Sequence, residues 1–291
     1  MTKVNKKKEI LVALAMIAPN LAGLFIFMII PTIMSFIISL SDWNLIGNAG
    51  WAGLGNFREV FHDSLFWKTL GNTAVYVFCK VPLNIVFSLL LAALLNQDLH
   101  GRTFFRAVLF LPMIASSVSV ALLWNPLFLS NGLLNRILGV FGLPPSSWIY
   151  HPDTSMMSVI IVALWKEIGY YMVMFLAGLQ SISRTYYEAA DIDGANGVQK
   201  FLRITVPLIS PTTFFVLTIS IIGSFQIFDL TTVLTGGGPA NSTNTLIMYV
   251  YQAGFRFFRM GYASALSAVL FIIVLSVTII QNWSSKRWVH Y

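Results

Sequence analysis

Charge and cysteine are scarce in this chain. Of its 291 residues only 10% are charged and 57% are hydrophobic, where an ordinary globular domain has about 25% charged residues. That balance excludes a disordered chain, a collagen-like fibre and a DNA-binding domain. One cysteine, Cys79, leaves no internal disulfide and no cysteine-built metal cluster. There is no G-x-x-x-x-G-K-[ST] loop, so the chain is not expected to hold ATP itself. The run Gly236-Gly237-Gly238-Pro239 ends in proline with no lysine after it, and reads as a turn. H-E-x-x-H and G-x-S-x-G are missing as well. His62, His100, His151 and His290 fall far apart, in loops or the tail. No catalytic residues and no metal site are therefore expected. Heptads, low-complexity tracts and tandem repeats are absent too.

Long apolar runs fill the space that charge leaves. A membrane-spanning helix needs about 20 apolar residues, and six segments supply them: Ile10 to Leu40, Thr69 to Leu95, Ala107 to Leu129, Met156 to Leu179, Val206 to Leu230 and Met260 to Ile280. Backbone groups in lipid must bond within their own segment, which selects helices, and continuous apolar runs are unlike the alternating strands of a barrel. The fold class expected is all-α and polytopic. Pro19 and Pro31 either kink the first segment or mark its ends, and the segment is too long for a cleaved signal peptide. With the N-terminus in the cytoplasm, eleven Lys and Arg fall on that side, from Lys3, Lys6, Lys7 and Lys8 to Lys286 and Arg287, against five on the other. The bias places both termini inside and accounts for the net charge of +7 without nucleic acid.

The loop Gln180 to Thr212 carries the most information. Thr185-x-x-Glu188 is a capping-box pattern, so a short helix is expected from Tyr186. Ala189 and Ala190 favour helix and keep the surface small, and Gly194 supplies the positive φ that ends it. A second helix over Val198 to Ile204 then leads to Pro207, suited to the first turn of span five. Acidic and basic residues balance across this elbow, which fits protein docking better than lipid anchoring.

Glu188-Ala189-Ala190, Asp193-Gly194-Ala195, Phe201, Ile204, Pro207 and Pro211 resemble the EAA loop of ABC importer permeases. Leu234 to Pro239, Asn241-Ser242-Thr243 and Met260 to Ala265 are similar to the carbohydrate-uptake branch, of maltose and glycerol-phosphate type. So are Gly101, Phe105 and Arg106, the pair Leu111-Pro112, and Gly132-Leu133-Leu134-Asn135. The resemblance covers nearly the whole chain. It implies a type I permease with residues 1–68 as tail, first helix and external loop, and residues 69–291 as a five-helix core with the coupling loop at 180–206. It implies the bacterial inner membrane, a second and different permease chain, two ATPase subunits that carry ATP and magnesium, and an external sugar-binding protein. No cofactor is expected in this chain. Glu188, Ala189, Ala190, Asp193 and Gly194 would couple to the ATPase. A permease for another small polar solute, or an ion-coupled transporter with two related halves, is the alternative.

Polar groups inside spans usually face a cavity or a partner. Lys166 and Glu167 are adjacent, about 100° apart on a helix. They either line a pathway or pair with other helices. Sugar hydroxyls need amides and carboxylates, and sugar faces stack on aromatics. Trp124, Asn125, Trp165, Tyr170, Phe225, Gln226 and Asp229 supply those types. Trp and Tyr also populate interface belts. Lys80 is expected to snorkel to the outer interface. Gly236, Gly237, Gly238 and Pro239 either dock the binding protein or form a structural turn.

Overall fold

A computed structural model describes residues 6–45, 47 and 49–289, with side chains from Glu9 onward. Lys3 and His290 lie outside the described residues. Four helices are long and apolar enough to cross a membrane: Glu9–Ile38, Ser64–Leu95, Pro152–Ser181 and Met260–Ser285. Two bent pairs make six: Arg102–Ile114 with Ser117–Phe128, bent by 101°, and Gly197–Leu208 with Ser210–Phe225, bent by 66°. Spans three and five are therefore broken, where the apolar runs alone predict continuous helices. Short helices over Gly55–His62, Leu133–Val140 and Leu246–Tyr251 occupy segments between the expected spans, and another, Asp229–Leu234, straddles the expected end of the fifth.

Proline placement explains the local geometry. The first span runs unbroken through Pro19 and widens into a π-turn at Phe25–Ile29 just before Pro31. The same pairing recurs at Phe201–Thr205, just before Pro207. A proline lacks the N–H that a regular turn needs and its ring crowds the carbonyl four residues back; a widened turn relieves both. Neither Pro19 nor Pro31 ends its helix. Pro207 does not open span five either. Pro211 holds that first-turn position, in the helix Ser210–Phe225.

The chain divides into two compact units. In the first, which takes in the described residues up to Asp63 and Val250–Val269, the strands Ser41–Asp42 and Gly50–Trp51 pair antiparallel. Asn56 Nδ2 donates to the carbonyls of Ser39 and Ser41, both at 2.9 Å. The backbone N–H of Gly261 donates to Trp43, and a Cβ at Gly261 would overlap the Ser41 carbonyl. Tyr262 Oη donates to Asp63 at 2.6 Å, and Arg259 pairs with Glu59 at 2.6 Å. The Met260 to Ala265 motif thus fixes a close backbone approach within this unit.

The second unit, Ser64–Tyr249 with the residues from Leu270, holds spans two to five. Spans two and four pack along each other. One apolar cluster gathers Tyr76, Val120, Phe128, Ile160 and Leu230, and another gathers Ala92, Met172, Phe175, Ile209 and Val216. Gly169 of span four lies against the backbone of Leu109, where any Cβ would collide.

Candidate functional site

Beside the first of these clusters, which shares Tyr76 and Leu230 with its wall, lies a polar cavity of about 190 Å³, lined also by Ser117, Lys166, Glu167, Gln226 and Asp229 among others. Its position follows from helix arithmetic. Lys80 stands fifteen residues before Leu95, Glu167 fourteen before Ser181, and Ser224 fourteen after Ser210. At 1.5 Å per residue each sits about 21 Å along its helix from those ends, so the three meet at one level. There Lys80 Nζ donates to Glu167 Oε2 at 2.5 Å and to Ser224 Oγ at 3.2 Å, and lies 5.6 Å from the centre of the Tyr171 ring. Lys80 is only 1% exposed. It does not snorkel: a carboxylate within reach satisfies the charge inside the bundle.

The break of span three and the far end of span five meet at this cavity. Span three breaks at Ala115–Ser116, where Ser116 caps the next segment by accepting from the Ser119 N–H at 3.1 Å. Ser117, one residue on, receives Lys166 Nζ at 2.8 Å. Span five ends at Phe225, and Gln226, Ile227 and Phe228 cross the gap before Asp229 starts a new helix. Irregular backbone at membrane depth is tolerated where it lines a cavity or is buried in protein. A helical cap signal, Ser116 four residues after Pro112, was present in the sequence and marks the first break.

Of the nine pathway candidates, the cavity wall brings together Lys166, Glu167, Gln226 and Asp229. The other five stand elsewhere. The ring of Trp124 packs 5.6 Å from both Phe128 and Trp165, Tyr170 stacks edge-on to Tyr171, Phe225 is buried, and Asn125 sits half-buried in a 3-10 turn. Tyr76, Ser117 and Ser224 were missed, and Lys80 was expected at the outer interface instead. Periodicity carries no signal for the first three, because a serine or tyrosine in an apolar run looks the same facing lipid or cavity.

The glycine loop is heavily tied. Gly236 and Gly237 take positive φ. Thr243 Oγ1 donates to the Gly238 carbonyl at 2.9 Å, Lys68 Nζ to Ala240 at 2.7 Å, and Asn72 Nδ2 to Asn241 and Asn244 at 2.7 and 2.9 Å. Gly237 is buried and Gly236 exposed, with Gly238 and Pro239 half-buried. Asn135, of the Gly132 to Asn135 stretch, is a similar knot. It donates to three carbonyls, and its Oδ1 accepts from Ser146 N and Trp148 Nε1, both at 2.9 Å.

The elbow is a helix–turn–helix. Its first helix, Arg184–Ile192, is capped by Ser183, whose Oγ accepts from Thr185 N at 3.3 Å. Thr185 and Glu188 therefore do not form the capping box that their spacing predicts: Ser183 stands one residue before the helix and competes successfully for the cap. The reciprocal box is Asn196 with Gln199, each bond 2.9 Å, opening the second helix. Between them Asp193 caps the first helix, and Gly194 N–H donates to Asp191 while Ala195 N–H donates to Ala190, with Gly194 at φ +74°. This is the paired-bond helix ending that calls for glycine. Lys200 pairs with Asp191 at 2.5 Å, and Tyr187 Oη shares a hydrogen bond with Thr205 Oγ1 at 3.0 Å, so the two helices form one body. Glu188 and Ala189 point outward, while Ala190 is buried. Ile192, 88% exposed, and Val198, 68% exposed, crown the turn.

Known proteins resemble the chain along nearly its whole length. Residues 84–290 match the family described as binding-protein-dependent transport system inner membrane component. The probable ABC transporter permease protein YesP of Bacillus subtilis (strain 168) is 36% identical over 290 residues, 98% of this chain and 94% of its own. The arabinooligosaccharides transport system permease protein AraP of the same organism is 38% identical over 268 residues, 91% of this chain and 85% of its own. A chain in the crystal structure of a bacterial alginate ABC transporter, in complex with an alginate pentasaccharide-bound periplasmic protein, superposes with a TM-score of 0.84 at 25% identity, covering 98% of both chains.

Proposed function

This chain belongs to the family of binding-protein-dependent transport system inner membrane components, and from that premise we propose that it is the permease of an ATP-driven oligosaccharide importer. Relatives named for arabinooligosaccharides and alginate support a carbohydrate cargo. The carrying observation is the elbow: a rigid, doubly capped helix pair with an exposed Glu188 and an apolar crown, Ile192 and Val198. Two ATPase subunits hold ATP and magnesium, and one of them receives this crown in a cleft. Glu188 meets a basic group there, Ala189 and Ala190 allow close approach, and Asp193 with Gly194 hold the turn. Closure of the ATPase pair moves the elbow, and the Tyr187–Thr205 and Lys200–Asp191 contacts pass that motion to span five as one body.

A second permease completes the pathway, and an external binding protein delivers sugar to the face that carries Gly236 to Pro239. The elbow and both termini face the cytoplasm, following the Lys/Arg bias. The cavity walled by Lys166, Glu167, Gln226 and Asp229 forms part of the route.

Reconstitution tests the reading. The chain, co-purified with its permease and ATPase partners and supplied with the binding protein, is expected to take up oligosaccharide only with ATP. Glu188→Lys and Gly194→Asp are expected to lose the ATPase on purification while the permease pair survives. Uptake by this chain alone under an ion gradient, without ATP, would sink the proposal in favour of a secondary transporter.

A further inference from the structure

The charges around the cavity do not balance until a hidden one is counted. Lys166 brings one positive charge to the wall, and Glu167 and Asp229 bring two negative ones. The fourth charge is Lys80, buried behind Glu167 and in contact with it. Its Nζ is engaged by Glu167 and Ser224, so it offers the cavity charge compensation and no ligand contact. What the wall presents is acceptor-rich and net neutral. The second Glu167 oxygen, both Asp229 oxygens and the Gln226 amide have no hydrogen bond or ion pair among the described residues.

Each cargo class would require something different. A polyanion calls for surplus ammonium or guanidinium, and the wall has none. A cation calls for surplus carboxylate, and Lys80 cancels it. Hydroxyl groups call for acceptors and an amide in a neutral frame. The volume, about 190 Å³, is below the ~300–1,000 Å³ of a whole small-molecule pocket, which suits one unit of a chain at a time. Resting on the sugar-import reading above, we infer that this cavity selects an uncharged polyhydroxyl cargo, and that Lys80 is the positioning residue that sets this selectivity by cancelling the charge of Glu167.

Equilibrium dialysis of the intact complex without binding protein tests it, using four labelled trisaccharides: maltotriose, arabinotriose, a triuronate and a glucosamine trimer. A neutral sugar is expected to bind saturably, at least tenfold tighter than either charged one. Asp229→Leu should weaken it about tenfold, the lower range for loss of a charged acceptor. Lys80→Met should turn the order toward the glucosamine trimer, whereas a purely structural lysine would lower all four alike. Should that variant fail to fold, the wild-type order and Asp229→Leu still decide. Tighter binding of the triuronate or of the glucosamine trimer by the wild type overturns the inference. So does no binding by any trisaccharide while ATP-driven sugar uptake continues. Absence of ATP-driven uptake of every sugar instead overturns the import reading itself, so the two failures are separable.

Discussion

Lys80 and Glu167 bear on stability as well as on cargo. Removing one member of a buried pair leaves the other uncompensated, typically at about 3–5 kcal/mol. Glu167 keeps 27% of its side chain exposed, so Lys80→Met is expected near the lower end, roughly 3 kcal/mol, read as a fall in Tm in detergent. The double variant Lys80→Met/Glu167→Gln should recover much of that, because no lone charge remains. Glycines give a second residue-scale test with opposite signs. Gly169→Ala drives a Cβ into the Leu109 backbone and should cost about 1–3 kcal/mol as overpacking. Gly71→Ala lies in the helix Ser64–Leu95 with nothing near its added carbon, and should stabilise by about 0.5–1 kcal/mol. Equal Tm shifts for the two would contradict the close helix contact at Gly169.

At the scale of elements, the caps decide between the pattern and the fold. Ser183→Ala should destabilise the helix Arg184–Ile192 by about 1 kcal/mol, seen as faster amide hydrogen exchange over its first turn. Thr185→Ala should change it by under about 0.5 kcal/mol; the reverse ranking would restore the Thr185–Glu188 box. Much of the elbow was legible beforehand. The alanine pair, the glycine after it and the second helix all lie where composition and turn chemistry place them. What sequence did not reveal is which of two neighbouring hydroxyls takes the cap, since Ser183 and Thr185 are both competent. The broken spans were hidden for a related reason. Hydropathy measures how apolar a run is and carries no information on direction, so Ala107 to Leu129 reads as one span although the chain turns by 101° within it. Part of the cavity went with the first break: its polar wall comes from Ser117, beside the bend of span three, and from Gln226 and Asp229, past the end of span five, which are ordinary polar residues until the fold brings them together.

For the whole molecule the decisive question is orientation. The eleven-to-five division of Lys and Arg acts through short loops near span ends, and from it we predict the elbow inside and the segment after Phe128 outside. Cys79 is the lone cysteine and is partly buried, so a Cys79→Ser background is clean for labelling. Phe141 is 74% exposed and Ile192 88% exposed, so burial cannot account for a difference between them. In membranes lacking the ATPase, a membrane-impermeant maleimide is expected to label Phe141→Cys only from outside and Ile192→Cys only from inside. Just one helix, Pro152–Ser181, lies between those positions as a candidate crossing. It carries Lys166 and Glu167 at its middle, the kind of content that an insertion scale penalises by roughly 2.5–3.5 kcal/mol for a lysine at the centre. Opposite-side labelling would mean that the Lys80 and Ser117 contacts make that crossing tolerable within the bundle. Same-side labelling would mean that this helix does not cross, and the pathway cavity would lose its place in the membrane along with it.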